Sequence, residues 1–483
     1  MNGTTNKQTF DVAVIGAGTA GLAAYRAARA AGASAVLVEG GAHGTTCARV
    51  GCMPSKLLIA AADAAHKARE AAPFGLRTTV EVDGKAVMNR LRHERDRFVG
   101  FVIAGVEKIP AEDHVRGWAS FASPHVLDVV VTPGVHQQVE AKSIVVATGS
   151  RPHVPAMFDR VRDRVASNED VFTWKDLPKS VVVFGMGIIG LELGQALHRL
   201  GVRVRLFGRG GAIGLLGDPV VRDAAREIFQ KELAADPDAK IESVAPSDDG
   251  GVTVTWLGAD GVVHTETFEK ILVAAGRRPN IDTLHLENAG IAAGATLDRE
   301  TLRLGESHVF LAGDVNDELP LLHEAADDGS IAGANAARYP VVTQGVRRSE
   351  IGIAFTDPGL AVVGPGFEEL TAHKSAHKSA HKSIVAGLVR FEDQGRSRVM
   401  LENRGALRVY ADPKTGTFLG AEMIAPRAEH LAHLLAWAHQ QKLTIDQMLA
   451  MPFYHPVVEE GVRTALRDAK AKLAAGEQVT RVQ

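Results

Sequence analysis

The chain has 483 residues and a formal net charge of -3. This length predicts several domains, because single hydrophobic cores stop growing at about 250–300 residues. Hydrophobic residues make up 46% and charged residues 23%, which is typical of a globular protein, and the small net charge would attract neither nucleic acid nor an anionic membrane. With no signal peptide or membrane-spanning segment in the sequence, we expect a cytoplasmic protein.

Residues 10–41, FDVAVIGAGTAGLAAYRAARAAGASAVLVEGG, predict a strand, a glycine-rich turn, a helix and a second strand ending at Glu39. In this context G-x-G-x-x-G marks a pyrophosphate site, because the helix N-terminus presents unpaired N–H groups to the anion. Glu39 stands where a carboxylate accepts hydrogen bonds from ribose hydroxyls. The residues predicted to bind the first dinucleotide are Gly16, Gly18, Gly21 and Glu39.

The same pattern recurs at one constant offset in residues 180–210, SVVVFGMGIIGLELGQALHRLGVRVRLFGRG. The corresponding glycines are Gly185, Gly187 and Gly190. Each copy follows a predicted strand and opens a predicted helix. The sequence therefore predicts two dinucleotide-binding units.

The second unit lacks an acid at the position that corresponds to Glu39. The offset places Gly208 there, followed by Arg209, with Arg203 and Arg205 on the strand before. An arginine at this place accommodates the 2′-phosphate of NADP. A solvated basic edge that tolerates NAD is the alternative, so the sequence leaves NAD or NADP open.

Both cysteines of the chain, Cys47 and Cys52, lie in GTTCARVGCMPSK, next to a predicted helix, PSKLLIAAADAAHKA. A helix N-terminus lowers the pKa of a nearby thiol and favours the reactive thiolate. The alternatives are half of a zinc site, two inert core thiols, and a structural disulfide. Zinc would require further Cys or His at ligand spacing. We predict a redox-active pair and no metal site.

Two later segments resemble each other and are expected to close the two nucleotide-binding units. Residues 143–155 and 270–282 are predicted strands that run into a glycine and then a basic residue before proline. A further strand, in HVFLAGDV, ends at Gly313 and Asp314 and needs a sheet to join.

From residue 351 onward, alternating segments predict an antiparallel sheet with strands in 359–364, 383–393 and 398–425. Helical spacing in 428–441 and 457–475 predicts two helices after it. The repeat AHKSAHKSAHKS, residues 372–383, is interpreted as a solvated loop, with weak metal binding as the alternative.

Taken in order, GAGTAG with Glu39, TTCARVGCMPSK, ATGS, GMGIIGLE, AAGRRPN, LAGDV and YHPVVEE resemble the pyridine nucleotide-disulfide oxidoreductases of the dihydrolipoamide dehydrogenase and glutathione reductase kind. The resemblance covers nearly the whole chain. It implies an α/β fold with two Rossmann-like domains, for FAD and NAD(P), and a C-terminal α+β interface domain. The implied domains are 1–150 (FAD, with the redox cysteines), 151–280 (NAD(P)), 281–350 (central, completing the FAD site) and 351–483 (interface and dimerisation).

The resemblance also implies roles for single residues around the flavin. Cys52 would face the flavin, while Cys47 would exchange with the substrate disulfide. Lys56 would lie near the flavin, paired with Glu192. The further residues that we assign to cofactor binding are Thr148, Gly149, Gly276, Gly313, Asp314 and Arg209.

In the same way His455, paired with Glu460, would act as the acid–base catalyst across a homodimer. Thiol–disulfide exchange needs a group that gives and takes protons near neutral pH, which imidazole does. Pro456 is expected in the first turn of the following helix, where Glu460 would meet the positive end of the helix dipole. Val457 departs from the threonine usual in the family.

Several residues bear on the substrate. Ser55 in CMPSK favours a lipoamide enzyme over a glutathione reductase, whereas Arg26 stands where glutathione reductases hold their substrate. Mercuric reductases have a C-terminal cysteine pair that this chain lacks, and soluble transhydrogenases usually lack the first redox cysteine. We predict oxidation of free or protein-bound dihydrolipoamide. The alternatives are an NAD(P)H-dependent reductase of a small disulfide such as glutathione, and a flavoprotein that serves mainly as a structural or sensing subunit.

Overall fold

The computed structural model describes residues 7–372 and 383–480, so most of the His-Lys-Ser repeat lies outside the described residues. Two compact units are formed. The first comprises Met1–Leu57, Asn89–His153 and Gly276–Arg347, and the second Leu58–Met88, Val154–Ala275 and Arg348–Gln483. The division into four domains stays a prediction. Among the described helices, none is both long and apolar enough to cross a membrane.

The first unit begins with the predicted strand, helix and strand. Its elements up to residue 152, with α3 and α4 continuing into the second unit, are β1 (Lys7–Ile15), α1 (Thr19–Ala30), β2 (Ala35–Glu39), α2 (Thr46–Val50), α3 (Cys52–Arg69), α4 (Gly84–Val106), β3 (His114–Arg116), β4 (Trp118–Ser123), β5 (Val126–Thr132), β6 (Val135–Val146) and β7 (Ser150–Pro152). Strands β1, β2, β3 and β6 pair in parallel, and β4, β5 and β6 pair antiparallel. The apolar segments Val12–Ile15 of β1 and Ala35–Val38 of β2 are buried on both faces, as in a parallel sheet covered by helices.

The second unit contains the second βαβ pattern. Its elements between residues 165 and 273 are β8 (Val165–Ala166), α5 (Asn168–Val171), β9 (Ser180–Phe184), α6 (Ile188–Arg199), β10 (Arg203–Phe207), α7 (Pro219–Glu232), β11 (Ala234–Asp236), β12 (Lys240–Pro246), β13 (Val252–Leu257), β14 (Val263–Phe268) and β15 (Lys270–Val273). A parallel sheet has the order β11-β10-β9-β15-β8. Strands β12 to β14 form a separate antiparallel sheet.

The chain then returns to the first unit with β16 (Arg277–Pro279), β17 (Val309–Leu311) and α8 (Leu322–Arg338). The two similar segments found in the sequence meet here, because β16 pairs antiparallel with β7. Strand β17 pairs in parallel with β6, which supplies the sheet that the sequence required for it. Helix α8 packs closely on α1, where Gly329 and Gly333 face the backbone of α1.

The C-terminal part of the second unit holds the predicted antiparallel sheet. Its elements are β18 (Ile351–Ala354), β19 (Gly359–Val363), α9 (Phe367–Leu370), β20 (Val385–Arg390), α10 (Gly395–Met400), β21 (Ala406–Ala411), β22 (Phe418–Ala425), α11 (Ala428–Gln440), α12 (Ile445–Leu449) and α13 (Glu460–Ala475). The sheet order is β18-β19-β22-β21-β20, with every neighbouring pair antiparallel. Helices α11 and α13 bury their apolar residues in the same core as this sheet.

Two local predictions in this part were wrong. Residues 398–400 were expected in a strand but belong to α10, because the Gln394 side chain accepts a hydrogen bond from the N–H of Ser397 at 2.7 Å and caps a helical turn. The apolar Val399 is exposed there. Helix α13 begins at Glu460, so Pro456 precedes the helix instead of lying in its first turn.

The close contact between α1 and α8 predicts that one methyl group added to α8 at Gly333 strongly lowers the stability of the fold. A Cβ at residue 333 would lie 2.2 Å from the carbonyl oxygen of Ala24, so Gly333→Ala forces the two helix backbones apart. We expect a loss of about 1–3 kcal/mol in the free energy of unfolding, measured by urea denaturation. The matched control is Gly100→Ala in α4, where no described atom lies within 4 Å of the added Cβ. That variant should be neutral or slightly more stable, and equal destabilisation of both would contradict the packing interpretation.

Candidate active site

Four parallel strands of the first unit end side by side and bring the first set of predicted residues together. Gly16 donates to the carbonyl of Val38 at 2.8 Å, Ala147 to Ile15 at 2.8 Å, and Ala312 to Val146 at 3.0 Å. The strands β2, β1, β6 and β17 therefore end level with one another. The predicted residues that follow or end these strands are Gly16, Gly18, Gly21, Glu39, Thr148, Gly149, Gly313 and Asp314. In α/β sheets, ligands bind outside such carboxyl ends.

The three glycines of the first turn have different surroundings. A Cβ at Gly21 would lie 1.8 Å from the carbonyl oxygen of Gly16, so only glycine lets α1 approach β1 this closely. At Gly18, by contrast, no described atom lies within 4 Å of an added Cβ. Gly18 is the N-cap of α1, without a side-chain cap and without an acid in the first turn. The open space and the uncapped N–H groups fit the pyrophosphate of FAD.

Glu39 is held in one orientation by the backbone. Its Oε2 accepts a hydrogen bond from Ala17 at 2.7 Å, and its Oε1 accepts one from Gly41 at 2.5 Å. Each carboxylate oxygen keeps further lone pairs for a ligand. This geometry fits the ribose of the dinucleotide.

A group beside Glu39 was missed by sequence reasoning. The rings of His43 and His114 lie 5.0 Å apart, and Arg116 Nη1 lies 2.8 Å from His43 Nε2. Burial, together with the charge of Arg116, lowers the pKa of both imidazoles. His43 Nδ1 and His114 Nε2 are buried without a hydrogen-bond partner among the described residues, and Trp118, 67% exposed, covers Gly40. Sequence reasoning did not find this group because its residues come from two separate segments, around Gly40 to His43 and around His114 to Trp118.

Asp314 belongs to a chain of side-chain hydrogen bonds. Arg277 Nε donates to Ser150 Oγ at 2.7 Å, and Ser150 Oγ donates to Asp314 Oδ2 at 2.8 Å. Arg277 and Ser150 come from the antiparallel pair of strands β16 and β7, which we call the β7–β16 ribbon. This ribbon therefore orients Asp314. Thr148 Oγ1 donates to the carbonyl of Asn280 at 2.7 Å. Gly149 and Gly276 have φ values of 67° and 102°, a region that favours glycine.

The two cysteines lie at the start of α3 and just before it. Cys52 is the first residue of α3, and Cys47 lies in the short helix α2. Thr45, at φ 59° and ψ 152°, caps α2 by accepting a hydrogen bond from Ala48 at 3.3 Å. That backbone conformation costs a β-branched residue about 1–3 kcal/mol, so the surrounding loop must hold it in place.

The expected lowering of the thiol pKa was wrong for Cys47. A hydrogen bond with Cys52 and burial raise the pKa of Cys47, while the charge of Lys56 opposes the rise. Two adjacent thiols share their protons, so loss of the first proton makes the second harder to remove. The pair is therefore suited to holding one thiolate and one thiol in its reduced state.

The second parallel sheet repeats the glycine geometry. A Cβ at Gly190 would lie 1.8 Å from the carbonyl oxygen of Gly185, and the space at Gly187 is open within 4 Å. Gly187 is the N-cap of α6, again without a side-chain cap or an acid in the first turn. These features fit the pyrophosphate of a nicotinamide dinucleotide. Gly208 donates to the carbonyl of Asp236 at 2.7 Å, and a Cβ there would lie 2.6 Å from the carbonyl oxygen of Pro237.

The three arginines near this edge differ in what they contact. Arg203 and Arg205 both bind the carboxylate of Glu266, at 2.9 Å and 2.5 Å. Arg205 also stacks on Trp256, with its guanidinium 4.6 Å from the ring centre. Arg209, two residues after the end of β10, is exposed and, in contrast, forms no ion pair with a described residue. Of the three arginines that the sequence suggested for a 2′-phosphate, two therefore share one carboxylate.

His455 and Glu460 meet as predicted. His455 Nδ1 lies 2.9 Å from Glu460 Oε2, and Arg463 donates to Glu460 Oε1 at 2.5 Å. Burial raises the pKa of Glu460, but the hydrogen bonds from His455 and Val457 and the nearby charges outweigh it, so the pKa is lowered. An ionised Glu460 keeps the proton of His455 on Nδ1 and leaves Nε2 as the basic atom. The His455 side chain is 80% exposed, which suits a group that acts on another molecule.

The predicted residues are distributed over the two units. The first contains Cys47, Cys52 and Lys56, which lies one turn after Cys52 on α3. The second contains Glu192, buried in α6, and His455. The pairing of Lys56 with Glu192 stays a prediction. Among the described residues no group of three or more His, Cys, Asp or Glu could hold a metal ion.

Comparison with known proteins identifies the family. Residues 10–329 match the Pyridine nucleotide-disulphide oxidoreductase family, and residues 351–466 match its dimerisation domain. The chain belongs to this family. It is 32% identical over 474 residues to a dihydrolipoyl dehydrogenase of Halobacterium salinarum, covering 95% of this chain and 96% of that one. It is 28% identical to a mercuric reductase of Acidithiobacillus ferrooxidans, covering 96% and 83%.

Solved structures show the same fold. The crystal structure of LpdA from Mycobacterium tuberculosis superposes with a TM-score of 0.78 at 23% identity, covering 95% of this chain and 99% of that chain. The flavoprotein disulfide reductase RclA from Escherichia coli gives 0.76 at 22% identity, with the same coverage. Membership of the family makes the protein an FAD-dependent oxidoreductase that uses NAD(P) and carries the family's dimerisation domain.

The lowered pKa of Glu460 predicts a pH-dependent contribution to stability. A carboxyl group whose pKa is lower in the folded state stabilises the protein above its ordinary pKa of 4.5, and this stabilisation is lost as the pH falls further. Glu460→Gln should therefore lower Tm at neutral pH, and the difference from the parent should shrink below pH 4.5. Glu459→Gln is the control on the preceding residue. A Tm difference that stays constant across this range would contradict the assignment.

Proposed function

We propose that the protein is a dihydrolipoamide dehydrogenase. The dithiol of dihydrolipoamide reduces the Cys47–Cys52 disulfide by exchange, and NAD(P)+ finally accepts a hydride. The products are lipoamide, NAD(P)H and one proton. FAD, when bound, carries the two electrons between the cysteine pair and the nicotinamide. The cytoplasmic location stays a prediction.

The observation that carries this proposal is the pair of thiols at the start of α3, in contact through a hydrogen bond. Disulfide exchange requires two cysteines close enough to bond and a thiolate that attacks or leaves. The hydrogen bond between the two side chains supports the first condition, and the raised pKa of Cys47 supports a protonated Cys47 beside a Cys52 that supplies the thiolate. The dihydrolipoyl dehydrogenase relatives at about 30% identity support the choice of dithiol.

In the proposed reaction His455 handles the protons of the exchange. Its Nε2 takes a proton from the attacking substrate thiol and returns it to the leaving sulfur, while Glu460 holds Nδ1. We propose that His455 of each subunit serves the thiols of its partner in a homodimer. Lys56 and Glu192 are proposed to lie by the flavin.

The cofactors are proposed to occupy the two strand-end edges. FAD would bind at the carboxyl ends of β1, β2, β6 and β17, with its pyrophosphate at Gly18, its ribose at Glu39 and a further hydroxyl at Asp314. The nicotinamide dinucleotide would bind at Gly185, Gly187 and Gly190. We do not propose mercuric reductase activity, although mercuric reductases are among the relatives. Those enzymes have an additional C-terminal cysteine pair, whereas both of the 2 cysteines in this chain belong to the redox pair.

A steady-state assay with dihydrolipoamide tests the proposal. The purified protein with bound flavin should turn over with NAD+ or NADP+, and His455→Gln should lower kcat about 10²–10⁴-fold, the usual contribution of general acid–base catalysis. Cys52→Ser should have no dithiol activity. Reduction of glutathione by NAD(P)H without dihydrolipoamide turnover would instead establish the alternative substrate. A dimer without either activity would indicate a structural or sensing role.

Arg209 is proposed to contact the 2′-phosphate of NADP. Because Arg203 and Arg205 bind Glu266, it is the arginine of the three that no described carboxylate holds. Arg209→Gln should lower kcat/KM for NADP about tenfold, the effect of one charged hydrogen bond, and leave the value for NAD nearly unchanged. Arg203→Gln is the matched control and should not change the ratio of the two values. Equal losses with both coenzymes would contradict the assignment.

A further inference from the structure

Arg199, the last residue of α6, is almost completely buried, with its side chain 2% exposed. Its Nε donates to Glu232 at 2.6 Å, and its Nη1 donates to Asp63 at 3.2 Å and to Asp357 at 3.0 Å. Its Nη2 donates to Glu232 at 3.2 Å and to the carbonyl of Asp357 at 3.0 Å. These bonds match the five N–H donors of a guanidinium. All four residues belong to the second unit.

The acceptors come from three different parts of that unit. Asp63 lies on α3, Glu232 is the last residue of α7, and Asp357 lies between β18 and β19. Gln195, one turn earlier on α6, bonds to Glu232 at 3.0 Å and to the carbonyl and N–H of Asp357 at 3.0 Å and 2.9 Å. A second link to α3 is made by Arg69, which donates to the carbonyl of Arg199. Helix α3 is therefore fixed to α6 at two positions.

The charges around Arg199 explain why the cluster is held tightly. Three carboxylates surround one guanidinium, and burial together with the charge of Asp357 raises the pKa of Asp63 against the opposing effect of Arg199. His66 and His198 lie beside the cluster, and burial lowers the pKa of both. Arg199 is thus the cation that pairs with the largely buried Glu232, and its removal would leave that carboxylate with only the Gln195 amide as a partner in this cluster.

Asp63 lies on the same helix as the redox thiol. It follows Lys56 by seven residues and Cys52 by eleven, so at 3.6 residues per turn all three lie on one face of α3, with Lys56 and Cys52 each within about 20° of Asp63. The distance from Cys52 to Asp63 along the axis is about 16 Å. A helix transmits a rotation or axial shift over this length, so the bond at Asp63 constrains the orientation of the first turn.

The same face of α6 also holds Glu192. Glu192, Gln195 and Arg199 are all buried and follow one another at helical spacing. Glu192 Oε1 accepts a hydrogen bond from Phe355 at 2.9 Å, two residues before Asp357. This row of polar side chains on α6 therefore binds two other parts of the chain. It contacts α3 through Asp63, and it contacts the segment 355–357.

We propose that Asp63 and Arg199 are positioning residues of the redox site: their contact sets the rotation and axial position of α3, and thereby those of Cys52 and Lys56. The inference rests on the proposed function, since it takes Cys52 as the redox thiol. Neither residue is placed at the reacting atoms. Their effect on the reaction is transmitted through the helix.

The test uses Asp63→Ala in the full-length protein with bound flavin. Asp63 is 39% exposed and alanine favours the helix, so α3 should form in the variant. After anaerobic reduction of the cysteine pair with dithiothreitol, we expect the long-wavelength thiolate–flavin absorbance of the parent to be largely lost. A misplacement of about 1 Å can cost about 10²-fold in rate, so kcat should fall up to that amount with KM unchanged. Asp63→Asn keeps an acceptor for Arg199 and should restore most of both signals.

Ala64→Ser, an exposed change at the next residue of α3, is the matched control and should resemble the parent. Arg69→Ala, which removes the second link, should give a smaller loss and replaces Asp63→Ala if that variant does not fold. Absorbance and kcat that are unchanged in Asp63→Ala and Arg69→Ala would overturn the inference while leaving the proposed function intact. A parent protein without the thiolate–flavin absorbance would overturn the assignment of Cys52, and the inference with it.

Discussion

The contact between the first and third glycines of each βαβ unit is the constraint on which both cofactor edges depend. At Gly21 and Gly190 an added Cβ would lie 1.8 Å from a carbonyl oxygen of the preceding turn. Because these side chains are absent, the helix N-terminus reaches the strand ends and its N–H groups face the open space at Gly18 and Gly187. If a methyl group at either glycine pushed the helix away from the strand, the positive end of the helix dipole would no longer face the cofactor site. The identical distances in the two sheets show that both βαβ units have the same close packing of helix against strand.

This constraint is also what made much of the protein predictable from sequence. Glycines at fixed spacing, apolar strands and Glu39 at a strand end are local features, and local features determine the turn and the helix start. The strand that ends at Gly313 required a sheet, and β17 joined the sheet that holds β1. His455 and Glu460 lie only five residues apart, and the family resemblance implied their contact although the expected helix start was wrong.

The features that could not be predicted depend on contacts between distant segments. Arg203 and Arg205 suggested a phosphate site, but Glu266, some sixty residues later, binds both. Gly208 is required by Pro237, which follows the neighbouring strand β11 and which no spacing rule includes. The pKa of Cys47 is set by its partner thiol more than by the helix, which reverses the expected direction. In each case a neighbour in space, unknown from the sequence, determines the chemistry of the group.

The ribbon of β7 and β16 has a consequence for how the chain is assembled. The N–H of His153 donates to the carbonyl of Gly276 at 3.0 Å, so the chain leaves the first unit and re-enters it at adjacent points. The intervening 154–275 segment is thus an insertion with neighbouring ends, and its length can change without separating the strands of the host sheet. During synthesis the host sheet cannot be completed until β17 emerges, whereas the insertion already holds all strands of its own parallel sheet. The pairing of β7 with β16 therefore holds the two parts of the host side by side, which shortens the effective loop that the host sheet must close.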